Sequence, residues 1–547
     1  MVCQLSLTHC RRQLILPIKI TKTRTKKNKN ISNPKKKKPD KLFSIYAKQK
    51  TSKNIAIEID TSEVIANLNK DIQATVSNQA FLDAVQEAIN LWDSVDIADV
   101  SFAPLKFASG QVDPEDGKNI ISFRATKSDE GDAQKLAVVS VINYARTDNV
   151  LFMNKPTMVK AGTILDVDIV YDPANNPCLA LHTTMGDFKL GGKDDSPIVE
   201  GGINPAVDLT TCEFVLEDDI TNLAVISIGS LLGLDSSAIA SAATSLVSKI
   251  MTRYALTNDD KIGLANIYPD SSKLTNHGII SGKVTLNKKG VIGAHVVLEN
   301  TLTGEPTISA ITDLNGRFKI KAIPAGTYNV YAEPLDGPIR KNALVRNFFG
   351  SASDLNFTTG VLKDPITITA NKTTKVKIEV REISSSAFNI NYLTAVLAEA
   401  DVNKSGGSFI LPVNIMPGET LMAVKFWGDN ISKSFGTLSV SGPGVTVSNV
   451  QDASIRISPF FTCRDCDDTP TPENPNPKPC KRSPLCAATQ ELDKEPEQIR
   501  GIQADITCAL DTAAGPRNII FTGNQLDPTH PSFGLRDQIT GGLFITE

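Results

Sequence analysis

The side chains able to do chemistry in this 547-residue chain are few and poorly spaced for it. Its five histidines, His9, His182, His277, His295 and His530, lie far apart, and none forms a pair at the spacing that sets two imidazoles on one helix face. A nucleophilic site would need a base near its serine. Ser227, Ser230 and Ser236 have no histidine close in sequence, and no G-x-S-x-G elbow occurs elsewhere. The nine cysteines are the other candidates. The run Cys463-x2-Cys466-x13-Cys480-x5-Cys486 has two readings: one tetrahedral zinc held by thiolates, or disulfides stapling a Pro-rich loop, with Cys508 joining strand to loop. Disulfides are the favoured reading, and Cys178 and Cys212 are candidates for a further bridge.

Three kinds of element must position these residues. Residues 19–53 belong to a basic arm, 1–53, that holds Lys35 to Lys38 and a single acid, Asp40; such a block repels itself and is expected to be disordered. Either it makes electrostatic contact with nucleic acid or anionic lipid, or it is a solvated tail, which is the favoured reading. From Ile55 to about Asp270, helix-like and strand-like patterns alternate. Phe81, Val85, Ile89 and Trp92 form an apolar stripe at three- and four-residue steps, which predicts a helix over Ala80 to Trp92. Asn119 to Phe123, Leu136 to Ile142 and Ile164 to Tyr171 read as strands, and Asn222 to Leu232 as a second helix. A third helix starts at Thr257, with Asp260 three residues on.

The stretch Ile226-Ser-Ile-Gly-Ser-Leu-Leu-Gly-Leu-Asp-Ser-Ser237 resembles the zinc helix of the matrixins, the metzincin metallopeptidase family whose pattern HExxHxxGxxH often continues as HEIGHLLGLDHS. Lys249-Ile-Met-Thr-Arg253 would place Met251 at the family's Met-turn. Leu256-Thr-Asn-Asp-Asp-Lys-Ile-Gly-Leu-Ala-Asn-Ile-Tyr-Pro269 is similar to its closing helix. The resemblance implies an α+β metzincin-like domain over 55–270. It puts the three ligand positions on Ile226, Ser230 and Ser236 and the general-base position on Ser227, so the motif is degenerate. Serine hydroxyls are poor ligands for a divalent ion and isoleucine offers no donor, so no zinc or other cofactor is expected, although zinc belongs to the ancestral family.

Beyond Gly278 the pattern changes to period two with turn signals at Asn287 to Gly290, Asp313 to Gly316 and Pro324 to Gly326. Ile280-Ser-Gly-Lys-Val-Thr285 and Thr312-Asp-Leu-Asn-Gly-Arg-Phe318 resemble the carboxypeptidase regulatory-like domain, a transthyretin-like β-sandwich, assigned to 278–382. His295 falls on one of its strands as a packed or edge residue. Residues 385–547 look like an Ig-like β domain, with a Cys- and Pro-rich insertion at 463–496. The fold expected is therefore multidomain, α+β first and all-β sandwiches after it.

The net charge of −3, set against the basic arm, leaves an acidic body that argues against nucleic-acid binding. No apolar run reaches the roughly 18 residues of a membrane span. The cysteine count favours an extracellular or cell-surface protein, although Leu14 to Ile18 is too short for a signal-peptide core; a misplaced start would reconcile the two. The function expected is that of a pseudopeptidase serving as a binding or structural protein, with a protein or peptide ligand. The alternatives are an active metalloendopeptidase-type protein with a non-standard site, or an adhesion or matrix component carried by the sandwiches. Oligomeric state is not legible.

Overall fold

The computed structural model describes residues 48–49, 52–60, 78–107, 117–123, 137–143, 148–152, 155–159, 163–171, 179–182, 216–234, 237–242, 256–335, 356–383, 387–394, 412–456, 498–525, 529–530 and 532–546. Strand dominates them. Three hydrophobic cores organise the described chain, the first α/β and the other two all-β.

The first core is built on β1 (Lys48–Gln49), β2 (Glu58–Asp60), α1 (Asn78–Asp93), β3 (Lys106–Phe107), β4 (Asn119–Phe123) and β5 (Ala137–Asn143). The hairpin β6 (Asp148–Phe152) and β7 (Lys155–Val159) follows, then β8 (Thr163–Tyr171). After β9 (Leu179–His182) and β10 (Leu216–Asp219) come α2 (Ile220–Leu231) and α3 (Asn258–Ile267). The sheet runs β1-β8-β4-β2-β3, all parallel, and β5 lies antiparallel on β8. The central strands are covered on both faces, as in parallel sheets: Ile59, Ile121, Val167 and Ile169 are buried on one, and Ile120, Ser122 and Asp168 on the other. The stripe on α1 is the helix's inner face, with Phe81, Val85, Ile89 and Trp92 at most 3% exposed. Pairing of Lys48 with Thr163 and the Ser101 N–H bond to Ser52 O place the end of the basic arm in this unit, so the disordered arm expected through Lys53 does not reach that far. Backbone hydrogen bonds to the sheet edge hold those residues in place of a core.

Thr257 caps α3 as its sequence predicts: the Asp260 carboxylate accepts from the Thr257 backbone N–H at 2.9 Å and from its hydroxyl at 2.7 Å. This helix serves two cores at once. Leu264 and Ile267 belong to the first, while Ile262 and Ala265 join the second.

That second core lies inside a sandwich of β11 (His277–Leu286), β12 (Lys289–Gly290), β13 (His295–Asn300), β14 (Pro306–Ile311), β15 (Arg317–Pro324) and β16 (Gly326–Glu333). It is completed by β17 (Phe357–Thr358), β18 (Gly360–Val361), β19 (Ile366–Ile368) and β20 (Thr373–Glu382). One sheet runs β12-β11-β20-β17 with β15 on β11; the other runs β14-β13-β16-β18 with β19 on β16. Asn287 and Lys288 both take positive φ, 49° and 67°, in the two-residue turn between β11 and β12, the chirality that suits a tight hairpin.

The third core fills a sandwich of two four-stranded sheets. It comprises β21 (Asn389–Thr394), β22 (Val413–Ile415), β23 (Thr420–Asp429), β24 (Gly436–Val440), β25 (Val445–Arg456), β26 (Gln498–Cys508), β27 (Gly515–Gly523) and β28 (Arg536–Ile545). The sheets run β21-β23-β26-β25 and β22-β28-β27-β24. Val445 to Ser448, Asn518 to Phe521 and Gly542 to Ile545 lie within β25, β27 and β28, in keeping with the β pattern expected over 385–547. The 463–496 insertion lies outside the described residues.

Candidate functional site

Helix α2 carries the first candidate. Ile226 and Ser230, four residues apart, are both partly buried on one side of the helix, and Ser227 is buried beside them. The helix stops in a left-handed turn. Gly233 takes φ +97°, its N–H bonds to Ser230 O at 3.0 Å, and Leu234 N–H reaches back to Gly229 O at 3.0 Å, the paired bonds of a Schellman cap. Trp92 Nε1–H on α1 donates to Val225 O at 2.9 Å, and the Tyr268 hydroxyl donates to Leu232 O at 2.7 Å. Leu234 lies close to α3, where a Cβ added to Gly263 would come within 3.1 Å of it. The helix and its turn are thus well held. Its motif positions supply one hydrocarbon side chain and hydroxyls, and among the described residues no three His, Cys, Asp or Glu side chains group as a metal site would require.

Other sequence-predicted residues fare differently. Ser236, Met251, Cys178, Cys212, Cys463, Cys466, Cys480 and Cys486 lie outside the described residues. Cys508, a candidate for a disulfide, has no disulfide partner among the described residues and lies fully buried at the end of β26 in the third core. Packing among apolar side chains accounts for that position. His295 is packed, as its place on a strand suggests, but not at an edge: β13 runs between β14 and β16.

The second candidate is a polar seam that sequence reasoning missed. Two sheets, β14-β13-β16 and β28-β27, turn their inner faces to the second and third cores, through Val296, Leu298, Val330 and Ala332 on one side and Ile519, Phe521, Ile539 and Leu543 on the other. Period two then sends His295, Glu299, Tyr331 and Glu333 to the opposite face of the first sheet and Asn518, Gln538 and Thr540 to that of the second. These faces meet. Asn518 Nδ2 donates to Glu299 Oε2 at 2.6 Å and lies 3.0 Å from the Tyr331 hydroxyl. Glu333 accepts from Thr540 Oγ1 at 2.8 Å and from Gln538 Nε2, and lies 2.7 Å from His295 Nδ1. Arg536 approaches Glu299 at 3.4 Å and stands 5.3 Å from the centre of the Tyr331 ring. Burial, with Glu333 and Glu299 nearby, pushes the Tyr331 phenol well above its ordinary range, so it stays a neutral hydrogen-bonding group. The one signal available in sequence was the pair of acids, Glu299 and Glu333, each ending a run of apolar strand residues.

All three cores meet beside this seam. Ala240 N–H, past the end of α2, bonds to Thr540 O at 2.9 Å, and a Cβ on Gly541 would stand 2.5 Å from Ser241 Oγ. Asp259 of α3 accepts the Ser237 hydroxyl at 2.6 Å and the Ser309 backbone N–H of β14 at 2.8 Å. Asn258 donates to Glu305 at 2.8 Å, and Asn266 clasps Lys321 of β15 through both its donor and acceptor at 3.0 Å. Between the sandwiches, Ser441 Oγ donates to Gly304 O. Gly304 and Gly442, at φ +74° and +79°, let the two backbones pass where any side chain would collide.

No family model and no curated protein matches this chain. The matrixin resemblance therefore rests on the residues quoted for it. Among solved structures, the chain is similar over 20% of its length to a minor pilin, GBS52, of Streptococcus agalactiae, with 14% identity and a TM-score of 0.14. It spans about half, 46%, of that protein. The major pilin subunit BcpA of Bacillus cereus aligns with 49% of this chain and 69% of its own length at 11% identity, TM-score 0.14. A DUF3823 family protein of Parabacteroides merdae aligns with 45% of this chain and 91% of its own at 12% identity, TM-score 0.13. Similarities of that extent carry no inference about what this chain does.

Proposed function

We propose that this chain is a non-proteolytic binding or structural protein, of matrixin-like descent in residues 55–270, that acts at the cell surface or outside the cell. The observation that carries this reading is the contrast within α2. Its Gly233 turn and its packing against α1 and α3 are kept, while Ile226, Ser227 and Ser230 hold none of the groups a zinc peptidase needs. A scaffold kept without its chemistry serves shape. The protein or peptide ligand expected of such a scaffold, and the oxidising surroundings implied by nine cysteines, belong to the same proposal.

A second reading, an adhesion or matrix component carried by the sandwiches, is favoured by the seam. Two sandwiches joined face to face through buried hydrogen bonds resist bending, whereas modules joined by a tether alone do not. Both readings make the first unit non-catalytic.

The test is metal analysis of the purified full chain beside a variant with Cys463, Cys466, Cys480 and Cys486 changed to Ser, so that thiolate-bound zinc is counted separately. No zinc is expected in the variant. One tightly held equivalent there would overturn the proposal. Restoring Ile226→His, Ser227→Glu, Ser230→His and Ser236→His together is expected to create zinc affinity, and failure to do so would count against matrixin descent.

A further inference from the structure

Asp259 occupies an unusual position for a carboxylate. It sits at the start of α3, buried where the first unit meets the central sandwich, and both of its oxygens are used: Oδ2 by the Ser237 hydroxyl and Oδ1 by the Ser309 backbone N–H. Neither donor carries a charge. The groups facing it from each side are Asp260 on its own helix, Ser237 from the segment after α2, Ser309 on β14 and His295 on β13, the last held by Glu333 of β16. Glu305, just before β14, is engaged by Asn258 one residue away. Lys319 and Lys321 of β15, the other strand against α3, are exposed. Negative groups outnumber positive ones around it, and the junction it closes joins three cores through Ser237, Ser309 and the seam.

We propose that Asp259 makes this three-way junction an acid-tightened latch, closed most firmly when its carboxyl is protonated and loosened as the carboxyl ionises towards neutral pH. A protonated Asp259 can still accept the Ser309 N–H on one oxygen and can donate to Ser237 Oγ from the other, so protonation removes a buried charge and breaks no hydrogen bond. Burial, with Asp260 adding to it, raises this carboxyl from 3.8 to about 6, against the hydrogen bonds of Ser237 and Ser309 and the charge of His295.

The sign follows from linkage. A carboxyl whose pKa is higher in the docked form than in the open one favours docking at low pH, and that advantage is lost as pH rises from about 4 to about 6, then stays level. Between pH 4.5 and pH 7 the closed-to-open ratio should fall by roughly 10- to 30-fold. This device would let an acidic surrounding stiffen the molecule without any ligand.

Amide hydrogen exchange of the full chain tests it, read at residues 256–262 and 305–311 and corrected for the intrinsic pH dependence of exchange. Protection is expected to be about tenfold or more higher at pH 4.5 than at pH 7 in the native chain. Asp259→Asn, which copies the protonated acid, should show most of the high protection at both pH values, with a smaller difference left by Glu305, whose carboxyl burial also raises. Ser237→Ala removes a hydrogen bond that favours the ionised form over the protonated one and should widen the difference between the two pH values. A native chain with equal protection at both pH values overturns the proposal, as does an Asp259→Asn chain that keeps the native pH difference. If Asp259→Asn does not fold, Ser237→Ala decides alone, and an unchanged or smaller difference there overturns it.

Discussion

The Asn518 side-chain amide donates to Glu299 Oε2 across 2.6 Å, joining β27 of one sandwich to β13 of the other. The same residue accepts the Gly541 N–H at 3.0 Å, so one amide ties together two strands of its own sheet and a strand of the next. Asn518→Ala would strand a buried carboxylate oxygen with only the longer Arg536 contact. It is expected to lower stability by about 2–4 kcal/mol. Urea unfolding followed by circular dichroism should show the loss, together with an early transition as the sandwiches part.

Gly442→Ala is expected to weaken the same interface from its other end. A Cβ there would collide with the Thr303 carbonyl, and φ +79° disfavours any L side chain. The cost should be about 1–3 kcal/mol. Gly534, at φ +71° with open space around it, is the control: Gly534→Ala carries the conformational term alone and should cost about 1 kcal/mol. Equal losses in the two variants would mean that the close backbone approach at Gly442 contributes nothing.

At the end of α2, Gly233→Ala should cost about 1–2 kcal/mol, because the residue closes the helix at φ +97°. Thermal unfolding read by Trp92 fluorescence in a Trp427→Phe background measures it. That indole bonds to α2, so it reports the helix directly.

The segment from Pro269 to His277 should resist limited proteolysis. Asp270 N–H bonds to Ile97 O at 3.1 Å, Leu274–Asn276 forms a 3-10 turn, and Ala325 N–H bonds to Asn276 O at 3.0 Å. Rapid cleavage there by trypsin at Lys273, ahead of sites in the basic arm, would show that the first unit and the central sandwich move apart.

Much of this architecture was legible because local patterns and long-range packing agree. The α1 stripe, the Thr257 cap, the hairpin at Asn287 and Lys288, and the alternation in β15 each follow from a period or a turn preference that tertiary structure leaves intact. The seam was not legible, for a physical reason. On β13, β16 and β28 both faces are buried, one against apolar side chains and one against polar ones. A polar residue alternating with apolar ones looks the same whether its face meets water or another sheet. His295 and Glu333 illustrate this: each alone reads as an ordinary strand residue, and only the fold brings them within 2.7 Å. The arm's end was misjudged because β1 is held by backbone pairing, which composition does not reveal.

Hydrolysis of a mixed peptide library by the purified full chain, with and without a zinc chelator, bears most directly on the claim that α2 is a scaffold and not a working zinc site. The rate should not rise above that of buffer, and the chelator should change nothing. Cleavage that the chelator abolishes, and that Ser227→Ala also removes, would contradict the claim outright.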